Sequence, residues 1–174
     1  MTSALPAVSP ADFKRGMRSL AAGVTIITTE HNGIRAGLTA TAVCSVSAEP
    51  PQVLVCINRE GGAYEYIEQG RRLCVNVLAQ HHQELAARFA GLGGIQGEER
   101  FNEGKWTTLA TGCPVLADSL IGFDCEVAAF MHAGTHTVFV GRVVALTGPR
   151  AGAPLLYAEG DFCAVAPRLR AIGA

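Results

Sequence analysis

The sequence has little net charge and no long hydrophobic run, and each shortage excludes a class of protein. Its 14 lysines and arginines are balanced by 15 acidic residues, which leaves a net charge of −1. A chain with this balance lacks the basic field that nucleic-acid binding requires. Every apolar run is interrupted within about ten residues, which is too short for a membrane-spanning helix. We therefore expect neither a nucleic acid nor a membrane as a partner.

The N-terminal stretch MTSALPAVSPADFKRG lacks the basic-then-apolar order of a secretory signal, so we expect a cytoplasmic protein. The length of 174 residues suits one domain with a substantial hydrophobic core. We accordingly expect a single domain over residues 1–174, with its core over about 13–165.

Several common catalytic and redox motifs are missing as well. The chain has six cysteines but no C-x-x-C pair, and Cys44, Cys56 and Cys74 fall inside strand-like runs. We expect reduced cysteines that pack as small apolar side chains. There is no G-x-S-x-G elbow, and no cysteine stands in a nucleophile motif. Hydrolase chemistry is therefore not favoured.

Two other stretches are weak ligand signals. GLGGIQG (91–97) has Gln96 where the third glycine of a dinucleotide fingerprint belongs, and it follows a helix instead of a strand. We interpret it as a surface loop. His81 and His82 are adjacent on a predicted helix, so their side chains should diverge by about 100° and lie on the surface. We expect no bound metal.

What the sequence does contain is mostly β-strand signal, with a hairpin turn at Asn32-Gly33. Helices are predicted to begin at Pro10, after the capping Ser9, and to cover residues 63–69 and 80–90. Alternation in Phe123–His132 predicts a strand with Cys125 and Met131 on one face and Phe130 on the other. Further strands are predicted over residues 24–30, 52–58, 73–78, 135–146 and 162–165. This order favours a mainly β protein with a closed or partly closed antiparallel barrel.

One strand-like stretch, GLTATAVCSVS (37–47), is built from threonine, alanine, serine and cysteine where a core strand would use larger aliphatic residues. Small side chains let a flat or phosphorylated ligand approach the backbone. Hydroxyls and free amides can hold a phosphate without a large positive charge. The alternative is a tightly packed strand crossing at a barrel corner, and composition alone does not separate the two.

Ordered segments extend over residues 13–162. They are AAGVTIITT (21–29), GLTATAVCSVS (37–47), PPQVLVCIN (50–58), LCVNVL (73–78), FAGLGG (89–94), EERF (98–101), Trp106, CPVL (113–116) and GTHTVFVGRV (134–143). Together they resemble the short-chain flavin reductase family, and especially the reductase components of two-component flavin monooxygenases such as 4-hydroxyphenylacetate 3-monooxygenase. No single segment carries this resemblance; their order and spacing do.

The resemblance implies an FMN-binding split barrel, an antiparallel Greek-key β-barrel with a few peripheral helices. It also implies hydride transfer from NADH or NADPH to FMN or FAD, with reduced flavin passing to a separate monooxygenase. Family members are usually homodimers with the flavin near the subunit interface. Two alternatives use the same barrel, namely a corrinoid (cobalt) reductase and a non-catalytic flavin-binding protein. A third alternative is a purely structural β-barrel.

The resemblance also assigns a site. Contacts to the flavin ring and phosphate are implied for Thr39, Ala40, Thr41, Ala42, Ser45, Val46 and Ser47. The next strand and the loop after it would contribute Cys56, Asn58, Arg59, Gly61 and Gly62, and the flavin slot would be lined by Phe89, Ala90 and Phe101. His136 would lie near the nicotinamide as a positioning group or proton donor.

Two residues depart from the family pattern. Many relatives carry serine where this chain has Gly61, and we expect a backbone amide to replace the missing hydroxyl. Many also carry aspartate where Thr135 stands, which weakens any inference about how His136 is oriented.

Overall fold

The computed structural model describes residues 7–165. Its helices are α1 (Pro10–Met17), α2 (Tyr64–Gly70) and α3 (Gln83–Phe89), with 3-10 turns at Gln80–His82 and Gly97–Asn102. Its strands are β1 (Ala22–Gly23), β2 (Thr25–His31), β3 (Ile34–Ala40), β4 (Val43–Ala48), β5 (Pro51–Asn58), β6 (Arg72–Val77), β7 (Trp106–Thr108), β8 (Pro114–Leu116), β9 (Ile121–Ala133), β10 (His136–Leu146), β11 (Leu156–Ala158) and β12 (Asp161–Cys163). The expectation of a mainly β protein with a few helices is confirmed.

The main sheet has seven strands in the order β3-β2-β6-β9-β10-β5-β4, and every neighbouring pair is antiparallel. Its two edge strands, β3 and β4, follow one another in the chain and are joined by residues 41–42. The link therefore bridges the two edges of the sheet. This is where the hydroxyl-rich stretch lies.

The hairpin between β2 and β3 turns at the predicted position. Asn32 has φ 54° and Gly33 has φ 81°, the left-handed conformations that a two-residue primed turn requires. The ladder runs in register from His31↔Ile34 to Thr25↔Ala40. The register of β3 is the one that the predicted two-residue turn requires.

The buried side chains form two main clusters. One includes Ile27, Val55, Leu73 and Phe139 and lies within the sheet. The other is built largely from the faces of β2, α3 and the loop after it, namely Val24, Ile26, Leu78, Leu85, Ala86, Phe89, Phe101, Leu116 and Leu155. Burial of these aliphatic and aromatic groups fixes α3 against the sheet.

Strand β9 departs from the simple alternation that its sequence suggests. Val140 pairs with Ala129 and Gly141 with Val127, so Ala128 is an extra residue in a β-bulge. Beyond the bulge, Phe130 packs against the core and Met131 is 63% exposed. The prediction that Met131 shares a face with Cys125 is therefore wrong, because the bulge inverts the phase.

Smaller differences concern the helices and cysteines. The predicted helix over 80–90 begins as a 3-10 turn, and the region predicted as a loop after residue 91 contains a second such turn. All six cysteines are free, and Cys74, Cys113 and Cys125 are buried. Among residues 7–165, no helix is long and apolar enough to cross a membrane.

Candidate functional site

A chamber of about 490 Å³ opens where β3, the link 41–42, β5 and α3 meet. We call it the main chamber. It is lined by Leu38, Thr39, Ala40, Thr41, Ala42, Cys56, Asn58, Glu60, Gly61, Gly62, Phe89, Ala90, Arg100 and His136. Its volume is within the range of pockets that hold small ligands and cofactors.

The small residues of β3 are held against α3 by a specific contact. The hydroxyl of Thr39 donates to the carbonyl oxygen of Ala86 at 2.6 Å. The same carbonyl also accepts from the backbone amide of Ala90 at the C-terminal end of α3, so the Thr39 hydroxyl is its second donor. Thr39 thereby ties the strand to the helix whose last residue, Phe89, lines the same chamber.

Phe89 is positioned by close packing on both sides. A Cβ added to Gly37 would lie 2.7 Å from the Phe89 ring, so only glycine lets the ring approach the β3 backbone. On its other side Phe89 contacts Phe101 edge-on at 5.0 Å and Trp106 at 5.5 Å between ring centroids. Phe101 therefore supports Phe89 and does not line the chamber.

The loop after β5 forms a tight turn at the chamber. The amide of Gly61 donates to the carbonyl of Asn58 at 3.0 Å, and the amide of Glu60 donates to the Asn58 side chain at 3.2 Å. The Gly61 amide is thus already bonded within the turn, and the expectation that a backbone amide replaces the serine hydroxyl toward a ligand stays a prediction for the other amides of this loop. A Cβ at Gly61 would lie 3.0 Å from the Asn58 carbonyl oxygen, so the turn itself favours glycine.

Arg59 is directed away from the chamber and toward the β9–β10 turn. Its Nη2 donates to the carbonyl of Gly134 at 2.6 Å, and its amide donates to the carbonyl of Thr135 at 3.0 Å. His136 follows directly, pairs with Asn58 across the ladder, and has its Nδ1 2.9 Å from the Thr135 hydroxyl. A threonine thus contacts the imidazole where many relatives carry aspartate.

Eleven of the residues that the resemblance assigned line the main chamber, namely Thr39, Ala40, Thr41, Ala42, Cys56, Asn58, Gly61, Gly62, Phe89, Ala90 and His136. Five do not, namely Ser45, Val46, Ser47, Arg59 and Phe101. The three β4 residues lie beyond the link on the second edge strand, where Val46 is 48% exposed. The ligand roles of all sixteen stay predictions.

Sequence reasoning missed three lining residues: Leu38, Glu60 and Arg100. Arg100 lies in the EERF segment, one residue before the chosen Phe101. No local pattern in the sequence distinguishes Arg100 from the other arginines of the chain, because its burial appears only in the folded structure. Burial lowers the pKa of its guanidinium from the ordinary value, although arginine stays a cation at neutral pH.

The one thiol in the chamber, Cys56, is not set up as a nucleophile. Burial, followed by the proximity of Cys44, raises its pKa above the ordinary value. A raised pKa keeps the sulfur protonated at neutral pH, whereas nucleophilic cysteines have lowered values. The chamber therefore offers packing, hydrogen bonds and one cation.

His81 and His82 differ from the expectation of diverging surface side chains. Their ring centroids are 3.9 Å apart, His82 is 5% exposed, and both approach the Asp118 carboxylate, at 3.6 Å and 3.3 Å. The backbone amide of Ala79 donates to Nδ1 of His82 at 3.1 Å, so the neutral ring carries its proton on Nε2, the atom that faces Asp118. A metal ion could bind Nε2 only after that nitrogen had lost its proton, so this tautomer opposes coordination.

The sequence and structure match known proteins across most of the chain. Residues 17–166 match the family model described as a flavin reductase like domain. The FMN reductase (NADH) RutF of Bradyrhizobium diazoefficiens is 47% identical over 139 residues, which cover 80% of this chain and 76% of the relative.

Solved structures give the same match. A homologue of nitrilotriacetate monooxygenase component B from Mycobacterium thermoresistibile is 31% identical, with a TM-score of 0.84 over 94% of this chain and 90% of that one. The NADH:FAD oxidoreductase of Streptomyces globisporus C-1027 is 25% identical, with a TM-score of 0.84 over 99% of both chains.

Proposed function

The chain belongs to the flavin reductase-like domain family and is an NAD(P)H-dependent flavin reductase, and we propose that its substrates are FMN and NADH. The choice of FMN and NADH rests on the relative of 47% identity, whose name specifies both. FAD is the second candidate substrate, because a structural neighbour that matches 99% of this chain is named as an NADH:FAD oxidoreductase.

The observation that carries this proposal is the main chamber itself. Small residues of β3 and the link 41–42, the ring of Phe89 and the imidazole of His136 all line one space of about 490 Å³. A planar isoalloxazine can approach the backbone where no large side chain intervenes, and a nicotinamide can stack on its open face. Hydride transfer needs this alignment of two rings more than it needs a covalent catalyst.

Within this function the residues bind and orient the substrates. Thr39–Ala42, Cys56, Phe89 and Ala90 would surround the flavin ring, and Asn58, Gly61 and Gly62 would lie along the ribityl chain. His136 would contact the nicotinamide from the β10 end. The hydride, a proton with two electrons, passes from the nicotinamide to N5 of the flavin, which leaves oxidised nicotinamide and reduced flavin.

We further propose that the reduced flavin leaves and serves a separate flavin-dependent monooxygenase. One structural neighbour is named as a homologue of component B of nitrilotriacetate monooxygenase, which supports this role. The chamber opens to solvent and holds a single arginine and no lysine among its described lining residues. Few charged contacts suit a flavin that exchanges with solution.

We also propose that the chain forms a Greek-key split barrel, that residues 1–174 make up a single domain, and that the protein is a homodimer. Support for the dimer comes from α1, which buries none of its side chains within the chain and leaves Phe13 62% and Met17 46% exposed. Contiguous exposed apolar groups of this kind mark association surfaces. A cytoplasmic location stays a prediction.

The test is NADH oxidation by purified protein, followed by absorbance, with FMN, FAD or riboflavin added. We expect oxidation that increases with free flavin. Protein that binds flavin without oxidising NADH or NADPH would instead be a flavin-binding protein, and protein that turns over only a corrinoid would be a cobalt reductase. Protein that responds to none of these would be a structural barrel.

His136→Ala tests the assigned role of the histidine. We expect a larger loss in turnover than in flavin affinity, because His136 is proposed to contact the nicotinamide. If turnover and flavin affinity fell equally, or if neither fell, His136 would not have that role.

A further inference from the structure

Arg100 is held in the wall of the main chamber by three carbonyl oxygens. Its Nε donates to Ile95 at 3.1 Å, and its Nη1 donates to Gly37 at 3.0 Å and to Phe89 at 3.2 Å. These carbonyls come from β3, the end of α3 and the Gly-rich loop. The guanidinium is therefore fixed in place by three separate segments.

We propose that Arg100 binds the phosphate group of the flavin nucleotide. This inference rests on the proposed function and adds to it the residue that recognises the charged end of the substrate. The resemblance had assigned phosphate contacts to hydroxyls and to the loop after β5, with Arg59 as the candidate cation. The structure directs Arg59 to the Gly134 carbonyl instead.

The charges of the chamber support this assignment. Among the described residues that line the main chamber, Arg100 is the only arginine or lysine, and Glu60 is the only carboxylate. A phosphate carries about two negative charges at neutral pH, so its most favourable position in this chamber is beside Arg100. Glu60 is exposed, and solvent screens its repulsion.

The guanidinium also has binding capacity left. Its Nη2 donates to no atom of residues 7–165, and no carboxylate in that range pairs with it. A half-buried cation without a counter-ion has lost part of its hydration and gains from an anion that reaches it. The three carbonyls set its orientation and leave the net positive charge unneutralised.

Arg100 also borders a second space of about 350 Å³, which we call the side chamber. The side chamber shares Glu60, Gly62 and Arg100 with the main chamber and is otherwise lined by Ala36, Gly37, Gly91, Ile95, Gln96 and Gly97. A Cβ at Gly91 would lie 3.5 Å from Nη2 of Arg100, so the free nitrogen is directed along the Gly-rich loop. A flavin tail that reaches Arg100 therefore has room for its phosphate oxygens.

Comparison of FMN with riboflavin isolates the phosphate, since the two differ only in that group. We would measure the Kd of each by flavin fluorescence for the wild type, Arg100→Met and Arg100→Lys. Arg142→Met is the matched control, because Arg142 pairs with Glu126 on the exposed face of the β9–β10 ladder and lines neither chamber.

We expect Arg100→Met to raise the Kd of FMN by about ten- to hundredfold, the loss typical of a hydrogen bond to a charged group. Riboflavin affinity should stay within about twofold of the wild type, and Arg100→Lys should keep part of the FMN affinity, because it keeps the charge without the fork geometry. Arg142→Met should match the wild type for both flavins.

Equal weakening of FMN and riboflavin would show that Arg100 only supports the loop and would overturn the proposal, as would unchanged FMN affinity. A higher KM for NADH with riboflavin as the acceptor, at unchanged FMN affinity, would assign the cation to the nicotinamide dinucleotide instead. If Arg100→Met does not fold, the test uses Arg100→Lys and the wild type. For both proteins the proposal requires that added salt weaken FMN binding more than riboflavin binding. These experiments measure binding, so they test Arg100 even if the wild type fails to oxidise NADH. That failure would contradict the proposed function but not the phosphate contact of Arg100.

Discussion

Arg59 donates a hydrogen bond from Nη2 to the carbonyl oxygen of Gly134, 2.6 Å away. With the bond from its amide to Thr135, this contact ties the β9–β10 turn to the end of β5. His136 is the first residue of β10 and pairs with Asn58, the last residue of β5. From these contacts we expect Arg59 to act on His136 through the turn, as a positioning residue.

Replacement of Arg59 by methionine should lower kcat by roughly tenfold, because small displacements of a positioning group weaken alignment of the reacting rings. The Kd of FMN should change little, since Arg59 does not line the main chamber. Steady-state kinetics and fluorescence titration measure the two quantities. The opposite pattern, a weaker FMN complex at unchanged kcat, would restore Arg59 as a phosphate ligand.

Gly37→Ala tests the close approach of Phe89 to β3. The new Cβ would meet the Phe89 ring at 2.7 Å and the carbonyl oxygen of Ile27 at 3.0 Å. We expect the free energy of unfolding to fall by about 1–3 kcal/mol, as in other overpacked sites, and flavin affinity to fall as the ring moves. Urea denaturation and flavin titration check the two effects.

Gly16→Ala is the matched control for that substitution. Gly16 lies in α1, and a Cβ there would have no atom within 4 Å. Alanine in a helix interior should therefore raise the free energy of unfolding, by up to about 1 kcal/mol. If both alanine variants lost stability equally, the contact between Gly37 and Phe89 would not explain the result.

Thr39→Val removes the hydroxyl that donates to Ala86 and nearly preserves the shape of the side chain. The carbonyl of Ala86 would lose its partner on β3, and we expect a loss of about 1 kcal/mol in the free energy of unfolding. Thr39→Ser retains the donor and should recover most of that loss. Equal destabilisation by serine and valine would point to packing of the methyl group instead.

Much of this fold follows from local signals. Asn32-Gly33 sets the β2–β3 turn, and the Ser9 hydroxyl accepts from the Asp12 amide at the start of α1, as predicted. Residues 38–42 of the hydroxyl-rich stretch line the main chamber together because β3 and the link 41–42 are continuous in the chain. Features of this kind depend on neighbouring residues, which the sequence displays directly.

Other features depend on contacts between distant segments and were missed for that reason. Arg100 faces the chamber because carbonyls from residues 37 and 89 hold it, a placement that no local pattern encodes. The bulge at Ala128 appears only when β9 is paired with β10. The contact of His82 with Asp118 joins residues that lie far apart in the chain.

His82 should make the stability of the protein depend on pH. Burial, and then the proximity of His81, lower the pKa of His82, and Asp118 opposes this shift. A lowered pKa means that the unfolded chain binds a proton more readily than the folded one. The contribution of His82 to stability is therefore fully present above about pH 6.5, the value for an unperturbed histidine, and is lost as the pH falls through the lower folded-state pKa.

Protonation of His82 would also place a second N–H against the Ala79 amide, which now donates to Nδ1. Urea midpoints measured from about pH 8 to about pH 5 should therefore decrease below the ordinary histidine pKa. His82→Gln keeps a side-chain acceptor for Ala79 but cannot titrate, so its midpoints should change less over that range. A variant whose midpoints decrease as steeply as those of the wild type would assign the pH dependence to other groups and remove His82 from the explanation.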